Sequence, residues 1–164
     1  MKLLIYIEQA KIFSLMKDPK DENPGVGGTT YTAARLALEL NNQYINHNSK
    51  IQVFLLSEDS SFINFHGIRI LDLNKSKLEN FDCYLITGDM IDYFYRNRKK
   101  YQSKKIISWI RHPYDFDKIK KSKKLKARIV SVGKSQYISN LLVSGHHNHI
   151  DNLFCARRIR SSLH

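Results

Sequence analysis

The sequence predicts an α/β fold built on a mostly parallel, doubly wound sheet with helices on both faces. Three observations carry that prediction. Short apolar runs recur along the chain and alternate with helix-patterned segments. The first run, Lys2 to Glu8, is almost continuously apolar, as a strand covered on both faces must be. Turn-forming residues, among them Gly88, Pro113 and Gly133, follow the ends of later runs.

In chain order, Lys2 to Glu8 is the first strand. A long polar connection, Gln9 to Glu22, leads into Asn23-Pro24-Gly25-Val26-Gly27-Gly28-Thr29-Thr30. Connections of that length in a compact domain tend to carry function. A helix is expected over Tyr31 to Asn41, with Thr29 or Thr30 capping its first turn. Ala34, Leu36 or Ala37, Leu38 and Leu40 supply its buried side, and Asn41-Asn42 and Asn46 to Ser49 break it. Ile51 to Leu56 is the second strand, Phe62 to His66 an ambiguous stretch read as a short turn of helix, and Ile68 to Leu73 an alternating third strand. Lys75 to Asn80 is a polar link, and Phe81 to Thr87 is the fourth strand, ending at Gly88-Asp89. Met90 to Tyr101 reads as a helix with Ile91, Phe94 and Tyr95 inward and its basic residues outward. Lys105 to Ile110 is the fifth strand, ended by Arg111-His112-Pro113-Tyr114. Phe116 to Lys126 is basic and loop-like or helical; Ala127 to Val132 is the sixth strand. Gly133 makes a turn, Ser135 caps a helix through Leu142 that ends at Ser144-Gly145, and His149 to Phe154 is a last strand.

A chain of 164 residues that is 42% hydrophobic is long and apolar enough for one domain with a real core. Residues 1–155 are assigned to that domain and 156–164 to a basic tail. No apolar run approaches a membrane span, and the opening run is too short for a signal peptide. Two cysteines, Cys83 and Cys155, require no disulfide framework, so a reducing cytoplasm is expected. The formal net charge of +12 points to an acidic partner or to a lysine-rich solvated surface. Much of the excess lies in Arg96 to Lys105 and Lys118 to Lys126.

The glycine-rich stretch puts almost no side chain on the main chain just before a helix. Free N–H groups and the positive end of the helix dipole then point at the loop, which suits phosphate or another anion. A simple turn starting a helix is the other reading. A Walker loop is excluded because no lysine follows Gly28. The dinucleotide fingerprint is excluded because Thr30 stands where the third glycine should be. In parallel sheets, ligands bind beyond the carboxyl ends of the strands. The glycine loop, Gly88-Asp89, Arg111-His112 and Gly133-Lys134-Ser135 all follow predicted strand ends and are expected to line one crevice.

Three motifs in order carry a resemblance: Asn23-Pro24-Gly25-Val26-Gly27-Gly28-Thr29 opening a helix, Trp109-Ile110-Arg111-His112 after a strand, and Val130 to Tyr137 opening another helix. Together they resemble the amino-terminal half of a GT-B glycosyltransferase, and more narrowly the family 4 group that includes polysaccharide and lipopolysaccharide mannosyl- and glucosyltransferases. The resemblance implies a Rossmann-like lobe of a two-lobed retaining enzyme that needs no metal or other cofactor. Its donor substrate is a nucleotide-sugar and its acceptor a glycan or lipid-linked saccharide. Gly27, Gly28 and Thr29 then approach the donor diphosphate. His112 is the expected catalytic residue beside the transferred sugar. Asp89, Arg111, Lys134 and Ser135 meet the acceptor or an anion, and Ser131 lines the cleft. The family's second lobe, with its paired glutamates and nucleotide pocket, has no counterpart in this sequence. The expectation is therefore a fragment or subunit, inefficient alone and completed by a separate carboxyl-terminal lobe.

Other residues carry competing readings. Asp89 can cap the next helix as well as meet an acceptor hydroxyl. His146, His147 and His149 lack the spacing and companions of a metal site. Asp115 and Asp117 would need a defined separation across a bond to act as a hydrolytic pair. Trp109 reads as core and Cys83 as a buried thiol. The alternative function is a basic binding module. Tyr93, Tyr95 and Tyr101 near the basic run could stack on nucleic acid, although no nucleic-acid motif is present. Alternatively, the lysines dock the protein on an anionic membrane surface, at the inner face of the membrane.

Overall fold

The computed structural model describes residues 1–47, 49–88, 90–101, 103–110 and 116–131, and the backbone of 150–152. The fold is α/β with a mostly parallel sheet, Rossmann-like as the apolar periodicity predicts. The chain divides into two compact units, Met1–Leu85 and Ile86–His164.

Strands β1 (Lys2–Tyr6), β2 (Gln52–Ser57), β3 (Asn64–Phe65), β4 (Ile68–Asp72) and β5 (Cys83–Thr87) lie in the order β3-β4-β2-β1-β5. Strand β1 pairs in parallel with β2 and with β5. Strand β4 extends the sheet in parallel beyond β2. Leu3 to Ile7 are buried without a break, and every residue of β5 is buried, so both strands are covered on both faces. The Asp82 carboxylate accepts the Lys2 N–H at 2.7 Å, and the Ile7 N–H reaches Leu56 O at 2.9 Å, which pins β1 at both ends.

Phe62 to His66 is not helical. Asn64–Phe65 form a short strand, β3, antiparallel to β4. The two residues between them, His66 (φ 48°) and Gly67 (φ 85°), are both left-handed, which matches the right-handed twist of a two-residue hairpin. The link 9–22 is not all loop. It contains α1 (Ile12–Leu15), which buries Ile12, while Met16 just beyond it is also buried.

Helix α2 runs from Gly28 to Asn46, longer at both ends than its sequence suggests. Asn41 and Asn42 do not break it, and the helix continues through Asn46 although residues 42–46 are exposed. Its buried stripe is Thr30, Ala33, Ala34, Ala37 and Leu38, spaced three and four apart; Leu36 and Leu40 are only half-buried. Small residues dominate that stripe, so the helix backbone lies close on β2 and also meets β1 and β4.

In the second unit, β6 (Lys105–Trp109), β7 (Arg128–Ser131) and β8 (Ile150–Asn152) are parallel neighbours in that order. The helix expected from Met90 to Tyr101 is two helices, α3 (Met90–Arg96) and α4 (Arg98–Tyr101). Asn97 separates them, and both its amide, at 3.1 Å, and its side chain, at 2.9 Å, donate back to Tyr93 O. Phe94 is fully buried against the Tyr101 ring, with centroids 4.4 Å apart, whereas Tyr95 lies half-exposed rather than inward. The basic stretch after it is helical: α5 (Phe116–Lys124) packs on α3 and on β7. Ser122 and Ser108, both fully buried, join α5 to β6 through a 2.9 Å hydroxyl bond. Trp109 and Cys83 are buried as expected. The helix expected after Ser135 lies outside the described residues.

Helix α5 ends in a Schellman turn. Ala127 N–H reaches Ser122 O at 2.9 Å and Lys126 N–H reaches Lys123 O at 2.8 Å. Lys126 occupies the left-handed position of that turn, φ 54°, which glycine fills at no steric cost. Lys126→Gly is therefore expected to stabilise the protein by about 0.5–1 kcal/mol, measured by urea denaturation. Tyr84 is fully buried, and its hydroxyl donates to Leu78 O and to Phe81 O, the latter at 3.2 Å. Burial pushes its phenol up to about 12 from 10.0. The unfolded phenol ionises first, so stability complete below pH 10 falls as pH rises toward 12. Tyr84→Phe should cost about 1–2 kcal/mol at neutral pH and flatten that alkaline loss in pH-dependent urea melts.

Candidate functional site

The glycine-rich stretch forms a built loop directly beyond the carboxyl end of β1. Asn23 organises it: its Oδ1 accepts the N–H groups of Gly25 at 3.1 Å and Val26 at 3.0 Å, and its Nδ2 donates to Val26 O at 3.0 Å. Gly25 takes φ 86°, a left-handed turn with open space around it. Val26 is buried and anchors the loop, while Gly27 and Gly28 are exposed. Gln9, three residues past the end of β1, accepts the Gly27 N–H at 3.2 Å. A Cβ on Gly27 would lie 3.0 Å from Gln9 Nε2, so this position has room for hydrogen alone unless Gln9 moves. The chain entering the loop is tied to α2 by Tyr31, whose hydroxyl donates to Asp21 O at 3.1 Å, and by Arg35, which donates to Pro19 O.

Neither threonine caps the helix. The cap is Gly27, with extended backbone (φ −56°, ψ 137°) and no side-chain bond, and its carbonyl accepts the Tyr31 N–H at 3.1 Å. Thr29 and Thr30 lie inside the first turn because Asn23 folds the loop tightly enough for the helix to begin at Gly28. No acidic residue occupies that turn. The amides of Gly28, Thr29 and Thr30 find no acceptor among the described residues. Thr30 Oγ1 is also buried there without a partner. A long helix thus presents an uncompensated positive end at the carboxyl edge of the sheet.

The remaining predicted site residues, Asp89, Arg111, His112, Lys134 and Ser135, lie outside the described residues. So do Asp115 and the histidines at 146, 147 and 149. Ser131 is fully buried at the end of β7 rather than at a surface. No group of three or more His, Cys, Asp or Glu side chains suited to a metal occurs among the described residues. Asp117 is engaged with Lys121, which also meets Asp92 at 2.5 Å. These two carboxylates hold the Lys121 ammonium well above the usual lysine range, Asp117 first.

Of the tyrosines read as base-stacking candidates, Tyr93 and Tyr95 are half-exposed and Tyr101 is buried. The Tyr95 ring already carries Arg98 and Lys124, with the guanidinium carbon 5.1 Å and the ammonium 5.7 Å from its centroid. Two features are not legible in the sequence. The contact of Gln9 with the glycine loop had no signal, because the pair is eighteen residues apart. The convergence of Arg98 and Lys99 with Lys124 and Lys126 on one cavity was visible only as two separate basic runs.

A groove of about 420 Å³ lies along the outer side of α2, lined by Arg35, Leu38, Asn42 and His66 among others. Its polar groups serve the fold: Arg35 is held by Pro19 O, and His66 Nε2 donates to Met16 O at 2.9 Å. Among the described residues no helix is long and apolar enough to cross a membrane. No protein-family model, no curated protein and no solved structure matches this chain.

Proposed function

We propose that the chain is the acceptor-side lobe of a two-lobed glycosyltransferase. In this reading a hexose passes from a nucleotide-sugar to a glycan or lipid-linked acceptor at the cytoplasmic side of the membrane. The observation that carries the reading is the bare amino terminus of α2 beside the end of β1. Cleavage of a nucleotide-sugar releases a diphosphate on which negative charge grows through the transition state. Preorganised amides aimed at that charge lower the barrier without reorganising. Gly28 and Thr29 supply such amides, together with Thr30, and the absence of side chains at Gly27 and Gly28 lets phosphate oxygens come close. The Gly27 amide, already given to Gln9, becomes available when Gln9 turns away.

In the same reading His112 sits beside the transferred sugar, Arg111 and Lys134 meet anionic groups, and Asp89 and Ser135 contact the acceptor. A second lobe, on a partner or elsewhere in a longer chain, supplies the nucleotide pocket, so these residues alone transfer sugar poorly.

Thr29→Glu separates binding from folding. A carboxylate in the first turn favours the helix dipole, and stability should rise by about 0.3–1 kcal/mol. The same charge should weaken uridine or guanosine diphosphate by at least about tenfold, since it takes the place of the anion. Amide resonances of Gly27 to Thr30 should shift on titration of the wild-type protein. Diphosphate binding that leaves those amides unmoved and is indifferent to Thr29→Glu would sink the reading.

A further inference from the structure

Residues 90–131 hold fourteen Lys or Arg against three Asp or Glu, so nearly all of the +12 excess lies there. The structure does not spread that charge evenly. Arg98 and Lys99, at the start of α4, and Lys124 and Lys126, at the end of α5, line one surface pocket of about 320 Å³ together with Leu125. Four of the five lining residues are cations and none is acidic. Two carboxylates of this region, Asp92 and Asp117, are both given to Lys121, which does not line the pocket. None of the four pocket cations is ion-paired among the described residues.

Three details show that the cluster is positioned and is not only a solvated helix end. Tyr95 holds two of the cations from different elements on one ring. Arg98 lies over its face and donates to its carbonyl at 3.3 Å, and Lys124 Nζ reaches its hydroxyl at 3.5 Å. Lys124, in the last turn of α5, also lies at the negative end of that helix's dipole, which favours an ammonium there. Lys126 stands in a left-handed position that glycine suits better, so its charge is kept at a conformational cost. Like charges gathered without counter-ions repel one another, and a bound anion relieves that repulsion.

We infer that this pocket binds a compact multivalent phosphate, a pyrophosphate or phosphomonoester group, independently of the α2 terminus. The four cations close on one cavity from two helix ends, which suits a small anion of high charge. Arg98 offers a planar fork of donors to phosphate oxygens, and the lysines act as point charges around it.

The test is a calorimetric titration of the chain carrying Thr29→Glu with inorganic tripolyphosphate at physiological salt, so that the α2 terminus takes no part. Saturable one-to-one binding is expected. Arg98→Gln, Lys124→Gln and Lys126→Gly should each weaken it by about five- to tenfold. Lys126→Gly keeps the fold intact because glycine suits its turn. Lys120→Gln, an exposed lysine of α5 outside the pocket, should change affinity by less than about twofold. Vesicles of phosphatidylcholine with phosphatidic acid identify the source. Binding that tripolyphosphate displaces assigns the phosphate to a lipid headgroup, and absence of vesicle binding assigns it to a soluble ligand. The inference is overturned by a titration without saturation, or by Lys120→Gln acting as strongly as Lys124→Gln. A mixed-sequence oligonucleotide that binds more tightly and responds equally to all four substitutions also overturns it, by revealing a diffuse polyanion face.

Discussion

The burial of β1 on both faces is the constraint on which the first unit depends. A strand with no solvent face must have its hydrogen bonds taken by neighbours on both edges, and β2 and β5 take them in parallel. Parallel pairing forces crossover connections, and the crossover from β1 to β2 is long enough to include α1, the glycine loop and α2. The loop is therefore delivered to the carboxyl edge of the sheet by topology, where the Gln9 amide then holds it.

The helix terminus at that edge is left electrostatically open by its residues. Glycine at the cap supplies the extended backbone but no acceptor, and no carboxylate occupies the first turn. A protein optimised for stability alone would place Ser, Asp or Asn at the cap and an acid within the turn. The side-chain acceptors of Asn23 and Gln9 shape the loop and do not cap the helix. What remains is a hydrogen-bonded frame with unspent backbone donors at a helix amino terminus.

Charge in the second unit follows a different logic. Lys121 takes two carboxylates, and its folded form is held in the ammonium state far into alkaline pH. The pocket cations instead rest on an aromatic ring, on the backbone and on solvent. Ring faces attract cations without neutralising them, so Tyr95 orders Arg98 and Lys124 while their charge stays available.

Local periodicity was enough to read the strands, because a buried parallel strand has to be apolar wherever it occurs; β1, β4, β5, β6 and β7 lie within runs legible in the sequence, and β2 passes the end of its run by one residue, Ser57. The glycine loop and the helix after it were legible for the same reason, since bare backbone followed by strong helix formers has few other uses. The helix start at Gly28, the hairpin at His66-Gly67 and the break at Asn97 were not legible. Each depends on a side chain folding back on the backbone or on a neighbouring strand, and neither leaves a period in the sequence. Residue order was enough for the α/β class, the large basic excess and the position of the glycine loop. Tertiary structure alone decided which amides are free, that Gln9 guards the loop, and that four cations some twenty-five residues apart share one cavity, because those facts arise from contacts between segments that the chain's order keeps distant.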